Sequence, residues 1–569
     1  MKVLICSLNS QYIHSSLAPW CLAAGMEKWG HPSIETEILE GTINQRPEDI
    51  RRKLKECCAD MVGFCCYIWN ITLVKQLTEQ LKRDRPETIV VLGGPEAAFR
   101  ADEILQNWPE VNYVQTGEGE STFAELANRL RIQADVEGIP GLCYRTPDGR
   151  RMIQPPYRLP EQPPSPYTNR YFAALQGRIA YLETSRGCPF SCAFCLSGRE
   201  DPVRFFDLEQ AKANMLLLAH SGARTIKLVD RTFNCHPGRA KALFAFLIQA
   251  EKDGEIPHGV CFHFEVAADL FDEATLELLA AAPKGLIQLE AGLQSFHRPT
   301  LEAVTRKTDL ERLCSNLTKL LIPGNIHVHI DLIAGLPEET AEIFRDSFDK
   351  AYSLSPNMLQ LGFLKLLHGS RLRAQTDDFG YLYSDCPPYE IEATRWLAKE
   401  ELKRLHSTEK ALDRLYNSGR FRLTLEYVLK KTHMRPFDLF ESIGETWKRC
   451  GGIDGVSLDE LTERVWAILS RYRGVDQAEL RDAMACDIFR SRRGGLLSPC
   501  LYREDRRLKK FKRAAAVLSE YQDADIQRNV LILESRKNEA VIAEYRDRDP
   551  VTGWYPLILI DTDQLERVL

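Results

Sequence analysis

A chain of 569 residues has room for about three or four domains, and its 44% hydrophobic and 27% charged residues exclude both a disordered tract and a fibre. A net charge of −6 supplies no overall attraction for nucleic acid or a membrane surface. With no apolar run long enough to span a bilayer, and an opening "MKVLICSLNSQYIHSS" unlike a secretory signal, the expectation is a cytoplasmic protein with no membrane contact. Seventeen cysteines in such a compartment argue against a disulfide framework and for buried thiols, metal binding or catalysis.

In chain order, "KVLIC" reads as a short buried strand and "LAPWCLAAGMEKWG" as a helix stopped by Gly30. Apolar runs recur at "SIETEIL", "MVGFCCYI", "TIVVLGG" and "VNYVQTG", separated by helical patterns such as "ITLVKQLTEQLKR" and "STFAELANRLRI". This alternation predicts an α/β domain over 1–135, a doubly wound, Rossmann-like parallel sheet ending near residue 135. Residues 136–178 read as a linker, because the prolines of "QPPYRLPEQPPSPYT" forbid regular structure. A second series over 179–375 offers six strands, "GRIAYLETS", "TIKLVD", "GVCFHFEV", "GLIQLEAG", "IHVHIDLIAG" and "MLQLGFLKL". Six units are too few for a closed eight-fold barrel, which takes about 250 residues, so a partial TIM-type (β/α)6 barrel is predicted. Residues 376–569 read as mainly helical, with a small terminal meander of "NVLILES", "AVIAEYR" and "YPLILID".

Doubly wound sheets bind ligands at the C-terminal ends of their strands, which here carry Gly93, Gly94, Gly117, Glu118 and Gly119. Closely approaching glycines let backbone amides reach a bulky or phosphate-bearing ligand. No Gly-x-Gly-x-x-Gly run opens the first helix, which weighs against a dinucleotide. In the second series, the loop after the first strand, "SRGCPFSCAFC", places Cys188, Cys192 and Cys195 at spacings of four and three. Closed zinc sites and ordinary iron–sulfur clusters take four protein ligands, whereas three leave one position open for something that reacts. A zinc site completed by a distant His is the alternative.

That loop, with Phe194 before its last cysteine, resembles the radical S-adenosylmethionine superfamily. The resemblance implies that three thiolates hold a 4Fe-4S cluster whose fourth iron is chelated by S-adenosylmethionine. One electron passed to the sulfonium then breaks a C–S bond and releases a 5′-deoxyadenosyl radical. It further implies that Glu265, in "HFEVAADL", binds the cofactor's amino group, and that Gln294 and Arg306, with Ser295 at the same strand end of "LEAGLQSFHRPTLEAVTRKT", serve its carboxylate. An arginine fork suits a carboxylate; a structural ion pair is the plainer use of Glu265 and Arg306. "DLIAGLPEET" resembles the turn that packs near adenine. Where many members carry Gly-Gly-Glu after the second strand, this chain reads "LVDRTFN", with Asp230 or Asn234 as stand-ins.

The N-terminal domain looks like the cobalamin-binding domain of one large class in that superfamily, through "MVGFCCYIWN", "LGGPEA" and "TGEGE". The cobalt-ligating Asp-x-His-x-x-Gly loop of methionine synthase reads "YIHSSL" here, leaving His14 alone as a possible lower ligand, or as a plain loop residue. Tyr67, Ile68 and Trp69 are candidates to pack against the corrin edge, or core residues. The resemblance implies methyl transfer from methylcobalamin to a substrate carbon. The alternatives are a cobalamin-dependent rearrangement, cyclisation or reduction, an RNA-modifying radical enzyme, and a corrinoid or iron–sulfur carrier without turnover. The implied partners are a substrate that is a small molecule, peptide or RNA, and an electron donor such as flavodoxin or ferredoxin; a monomer is expected. The C-terminal part resembles an uncharacterised extension. Its residues 487–513 carry ten Lys or Arg against three acids, suited to RNA phosphates or to the solvated face of a helix.

Overall fold

The structure, a computed structural model, describes residues 1–199, 202–494, 496–517 and 528–567. It divides into two compact units, residues 1–265 with 365–391, and residues 266–364 with 392–569.

The first unit opens with β1 (Lys2–Asn9), α1 (Ala18–Trp29), β2 (Glu35–Thr42), α2 (Pro47–Cys57), β3 (Met61–Cys65), α3 (Ile71–Asp84), β4 (Ile89–Gly93), the short α4 (Pro95–Ala98) and α5 (Ala101–Asn107), β5 (Tyr113–Gln115) and α6 (Glu120–Arg131). The sheet order is β2-β1-β3-β4-β5, all parallel, so the chain reverses direction across the sheet between β1 and β3. Strand periodicity feeds two cores. Leu4, Cys6 and Leu8 of β1 face Val62, Phe64, Val90 and Leu92 on the side of α3, while Val3 and Ile5 join Met61, Val91 and Phe123 on the side of α6.

The sheet does not end near residue 135. It continues through an antiparallel hairpin, β6 (Leu142–Arg145) and β7 (Arg151–Met152), whose "TPDG" turn sets Gly149 at φ 85°. Strands of four and two residues carry little apolar signal, so the alternation in the sequence fades before them. The proline-rich stretch 154–168 does lack helix and strand, apart from one bridge at Tyr157. After α7 (Asn169–Leu175) come β8 (Ala180–Leu182), a small hairpin of β9 (Ser185–Arg186) and β10 (Arg204–Phe205), α8 (Leu208–Ala219), β11 (Thr225–Leu228), α9 (Pro237–Lys252) and β12 (Cys261–Val266). Strands β8, β11 and β12 are parallel neighbours.

The second unit contains α10 (Glu273–Ala280), β13 (Ile287–Gln294), α11 (Arg298–Ala303), α12 (Leu310–Leu321), β14 (His327–Ala334), α13 (Ala341–Ser353) and β15 (Met358–Phe363), with β13, β14 and β15 parallel. Each unit thus contains three of the six strands that the sequence predicts, paired in parallel within it. Beyond residue 398 follow α14 (Lys399–Leu412), α15 (Arg422–Thr432), α16 (Pro436–Arg449), α17 (Leu458–Leu469), α18 (Gln477–Ser491) and α19 (Leu508–Val517), then an antiparallel meander of β16 (Arg528–Ile532), β17 (Glu539–Glu544) and β18 (Leu557–Asp561). The helices dock on the barrel half of their own unit: Arg435 reaches Asp349, Asp346 and Glu342 of α13, and Arg345 pairs with Glu441 at 2.6 Å.

Candidate functional site

In the first unit a cavity of about 630 Å³ opens at the C-terminal ends of β1, β3, β4 and β5, the crevice where a doubly wound sheet changes direction. His14, Tyr67, Trp69, Gly93, Gly94, Gly117, Glu118, Gly119 and Glu265 all line it; Ile68 does not. Its inner end reaches Gly63, Phe64, Val91 and Phe123 between the sheet and α6.

The glycines serve different ends. Gly94, at φ 97°, would place a Cβ 2.6 Å from the Cys66 carbonyl, and a Cβ on Gly117, at φ 79°, would overlap the Tyr157 backbone. Both are required by chain packing against chain. At Gly93 the nearest protein atom to a Cβ is 3.9 Å away, so a side chain there would fill the cavity rather than strike the fold.

Tyr67 and Trp69 stack with ring centroids 4.5 Å apart and 5° between planes. The buried Asn70 fixes the turn, accepting from the Tyr67 amide at 2.8 Å and donating to the carbonyls of Leu8 and Cys65. Trp69 donates to Leu8 at 3.0 Å yet is 43% exposed, so an indole face stands open at the cavity. His14 meets the Tyr181 hydroxyl through Nδ1 at 2.8 Å, and burial, then Lys227 and Arg178, lower its basicity. A phenol thus orients the ring where the sequence offered no carboxylate.

Sequence reasoning missed a buried charged cluster on the same wall. Arg186, two residues before Cys188, contacts Glu118 at 2.9 Å, Glu120 at 2.6 Å and Glu183 at 2.9 Å. Glu118 also accepts from Arg204 and from the Leu159 amide, so both its oxygens are occupied. Glu120 has one oxygen on Arg186, while Oε2 is buried with no hydrogen-bond partner. Burial raises the Glu183 carboxyl above its usual range.

The cysteine loop follows directly. Cys192 is buried and Cys188 and Cys195 are half-buried; Cys188 Sγ lies 3.3 Å from the Thr232 hydroxyl, and Cys195 Sγ accepts from the Ser197 amide at 3.4 Å. Phe194 between them is half-buried. Leu372 donates to the Ala193 carbonyl at 3.0 Å and Arg371 to Ser191, so the segment after β15 braces the loop from outside. Asp230 does not stand free as a replacement for a Gly-Gly-Glu acid. It is buried, accepts from Thr184 N, Thr184 Oγ1 and Ser185 Oγ at 2.9, 2.7 and 2.5 Å, and orders the strand end that leads into the cysteines. Asn234 is buried as well. Glu265 stands at the end of β12, 3.7 Å from Lys227 and 3.8 Å from Arg231.

Gln294, Ser295 and Arg306 belong to the second unit. Gln294 adopts φ 72° at an irregularity in the β13 pairing, and its buried Oε1 has no hydrogen-bond partner. Arg306 donates to the Gly292 carbonyl. Ser295 is fully buried: its hydroxyl donates to Glu339 and accepts from the His297 amide at 3.0 Å, which makes it a prop of the turn. On the same strands Glu290, His329 and Asp331 bring their ligating atoms within 4.8 Å of one another. The alternation of half-buried polar and buried apolar residues in "IQLEAGLQ" already put Glu290 on the face of Gln294.

The basic segment resolves into parts. Asp487 and Arg490 pair at 2.9 Å, both buried, and Arg492 and Arg507 pair with Asp459 and Asp505. Lys509, Lys510, Lys512 and Arg513 form the exposed face of α19, opposite the buried Phe511 and Ala514. Gly495 lies outside the described residues.

Residues 4–127 match the B12 binding domain, and residues 182–351 match the radical SAM superfamily. The chain joins a B12-binding domain to a radical SAM domain. Residues 377–545 match a family described as a protein of unknown function, DUF4080. The chain is similar to the cobalamin-dependent radical SAM methyltransferase TokK of Streptomyces tokunonensis, 30% identical over 50% of this chain and 44% of that protein. It thus spans less than half the length of that relative. Its fold is that of TsrM from Kitasatospora setae, solved with cobalamin and a 4Fe-4S cluster, at a TM-score of 0.56, 20% identity and coverage of 68% and 78% of the two chains. The same holds for OxsB, solved with aqua-cobalamin and S-adenosylmethionine, at a TM-score of 0.57, 14% identity and coverage of 85% and 78%. Among the described residues no helix is long and apolar enough to cross a membrane.

Proposed function

We propose that this chain is a cobalamin-dependent radical S-adenosylmethionine methyltransferase. Cys188, Cys192 and Cys195 would hold the 4Fe-4S cluster and the cavity the cobalamin, and the candidates for S-adenosylmethionine are Glu265 in the first unit and Gln294 and Arg306 in the second. When bound, the cluster supplies the electron that splits S-adenosylmethionine and the corrin supplies the methyl group. The observation that carries the reading is adjacency in the chain: Arg186, held by Glu118 and Glu120 in the wall of the cavity at the strand ends, stands two residues before Cys188 of the three-cysteine loop.

The residues present suit these groups. Three thiols without a fourth on one loop are the donor set of a cluster with an open iron. The bare oxygen of Gln294 and the fork of Arg306 are of the kind that receives an amino acid head group. Gly93 leaves room where a side chain would intrude, and Trp69 offers a flat face. Arg186 pairs with Glu118 and Glu120 on the cavity wall, which keeps these buried acids tied to a cation. Asp230 fixes the loop's entry and Leu372 its outer edge. A reduced flavodoxin or ferredoxin is the proposed electron donor, and the substrate is a small molecule, peptide or RNA that offers an unactivated C–H carbon.

The test is anaerobic turnover of the reconstituted protein with S-adenosylmethionine labelled in its methyl group, a chemical reductant and candidate substrates. 5′-Deoxyadenosine together with a labelled product is expected. 5′-Deoxyadenosine with an unlabelled, rearranged or cyclised product would defeat the methyl-transfer reading. Replacing Cys188, Cys192 and Cys195 together by Ala should remove iron and the cluster absorbance; a full complement of iron in that variant would overturn the assignment.

A further inference from the structure

The cavity wall holds two acceptor atoms that the protein itself leaves unused. Glu120 is 4% exposed and its Oε2 has no hydrogen-bond partner. Gln115 is 5% exposed; its Nε2 donates to the carbonyls of Thr116 and Pro140, and its Oε1 is likewise without a hydrogen-bond partner. Both residues line the cavity, at the end of β5 and the start of α6. A buried acceptor left bare costs free energy unless a ligand supplies the donor.

The rim of cobalamin carries primary amides, whose N–H groups need acceptors once they leave water. We propose that Glu120, with Gln115 beside it, is the element of the site that reads the amidated rim of the corrin and rejects corrins bearing a carboxylate there; this rests on the cobalamin reading above. The charge around Glu120 decides the selectivity. Among the described residues the ion pairs of Glu118, Glu120 and Glu183 are with Arg186 and Arg204, so three acids share two cations in a buried cluster, while Lys227 and Arg231 line the same cavity. A neutral amide donates to Glu120 Oε2 without changing that balance. A carboxylate in its place brings a fourth acid into a poorly solvated cluster and removes the donor as well. Glu118, whose oxygens are both occupied, takes no part in this contact.

The experiment titrates the corrin-free full-length protein with hydroxocobalamin and with the three cobalamin monocarboxylic acids in which one propionamide (b, d or e) is replaced by its acid, followed by the visible spectrum. One of the three acids is expected to bind about 100-fold more weakly than cobalamin, the other two within a few-fold. In Glu120→Gln, whose side-chain carbonyl still accepts, that gap should close to about tenfold or less. Equal binding of all three acids by the wild-type protein overturns the inference and requires no variant to fold. Unchanged discrimination in a folded Glu120→Gln protein overturns it too. Failure of the wild-type protein to bind cobalamin itself is a different result, and it defeats the cobalamin reading on which the inference stands.

Discussion

Glu339 is a buried carboxyl whose role is structural. Burial raises it from an ordinary value near 4.5 to about 8, and the Ser295 hydroxyl donates to it. Between those two values the unfolded chain gives up a proton that the folded chain keeps. Stability therefore falls as the pH rises from about 4.5 to about 8, by at most about 1.4 kcal/mol per unit, and nothing is lost below that window. Glu339→Gln keeps an acceptor for Ser295 and has no proton to lose, so its urea midpoints at pH 5, 6, 7 and 8 should lack the decline that the wild-type protein shows. At Gly93 the expectation is opposite in kind. A Cβ there meets nothing closer than 3.9 Å, so Gly93→Val should change the melting temperature little, under about 1 kcal/mol. Its methyl groups enter the cavity, so hydroxocobalamin affinity should drop tenfold or more.

Among the elements, the pair α1 and α6 governs the cavity. Gly25 of α1 lies against the backbone of Glu120, the first residue of α6, and Gly63 of β3 lies beneath Phe123 of α6. Small residues at both contacts let the helix settle on the sheet, and that position aims Glu120 into the cavity. Gly25→Val would overpack the helix contact at a cost of about 1–3 kcal/mol. A lowered melting temperature together with weakened corrin binding is the expected pair of outcomes; a lowered melting temperature with unchanged corrin affinity would show that α6 keeps its place without the close contact.

At the scale of the whole molecule, the three cysteines are not among the residues that line the cavity. The cavity is lined by the ends of β1, β3, β4 and β5 and by Tyr181, Glu183, Arg186, Lys227 and Glu265 of the following segments, and none of these residues is one of the three cysteines. Cobalamin at a hundredfold excess over its dissociation constant should therefore stabilise the unit that holds it by about 2.7 kcal/mol. The triple Cys→Ala protein should show the same rise in melting temperature, read by circular dichroism. A rise confined to the wild-type protein would mean that the cluster loop and the cavity form as one cooperative piece.

Much of this was legible in the residues themselves. Alternating strands and helices announced both parallel sheets, the six short runs of the barrel became six strands, and the spacing of Cys188, Cys192 and Cys195 marked the working loop. These are local signals, carried by periodicity and by neighbours in the chain. The antiparallel hairpin β6–β7 escaped because strands of four and two residues leave almost no pattern. What only the tertiary structure decided is which polar atoms remain unpaired. Glu118 and Glu120 look alike in "TGEGE", yet Arg204 and the Leu159 amide, from distant segments, occupy the first, while the second keeps a bare oxygen. Likewise Gly94 and Gly117 are glycines because distant backbone passes close by, and Gly93 is one with open space beside it. Sequence fixes what each residue is able to donate or accept, and folding alone assigns the partners, because burial makes an unmet group costly and the partners that meet it come from segments distant in the chain.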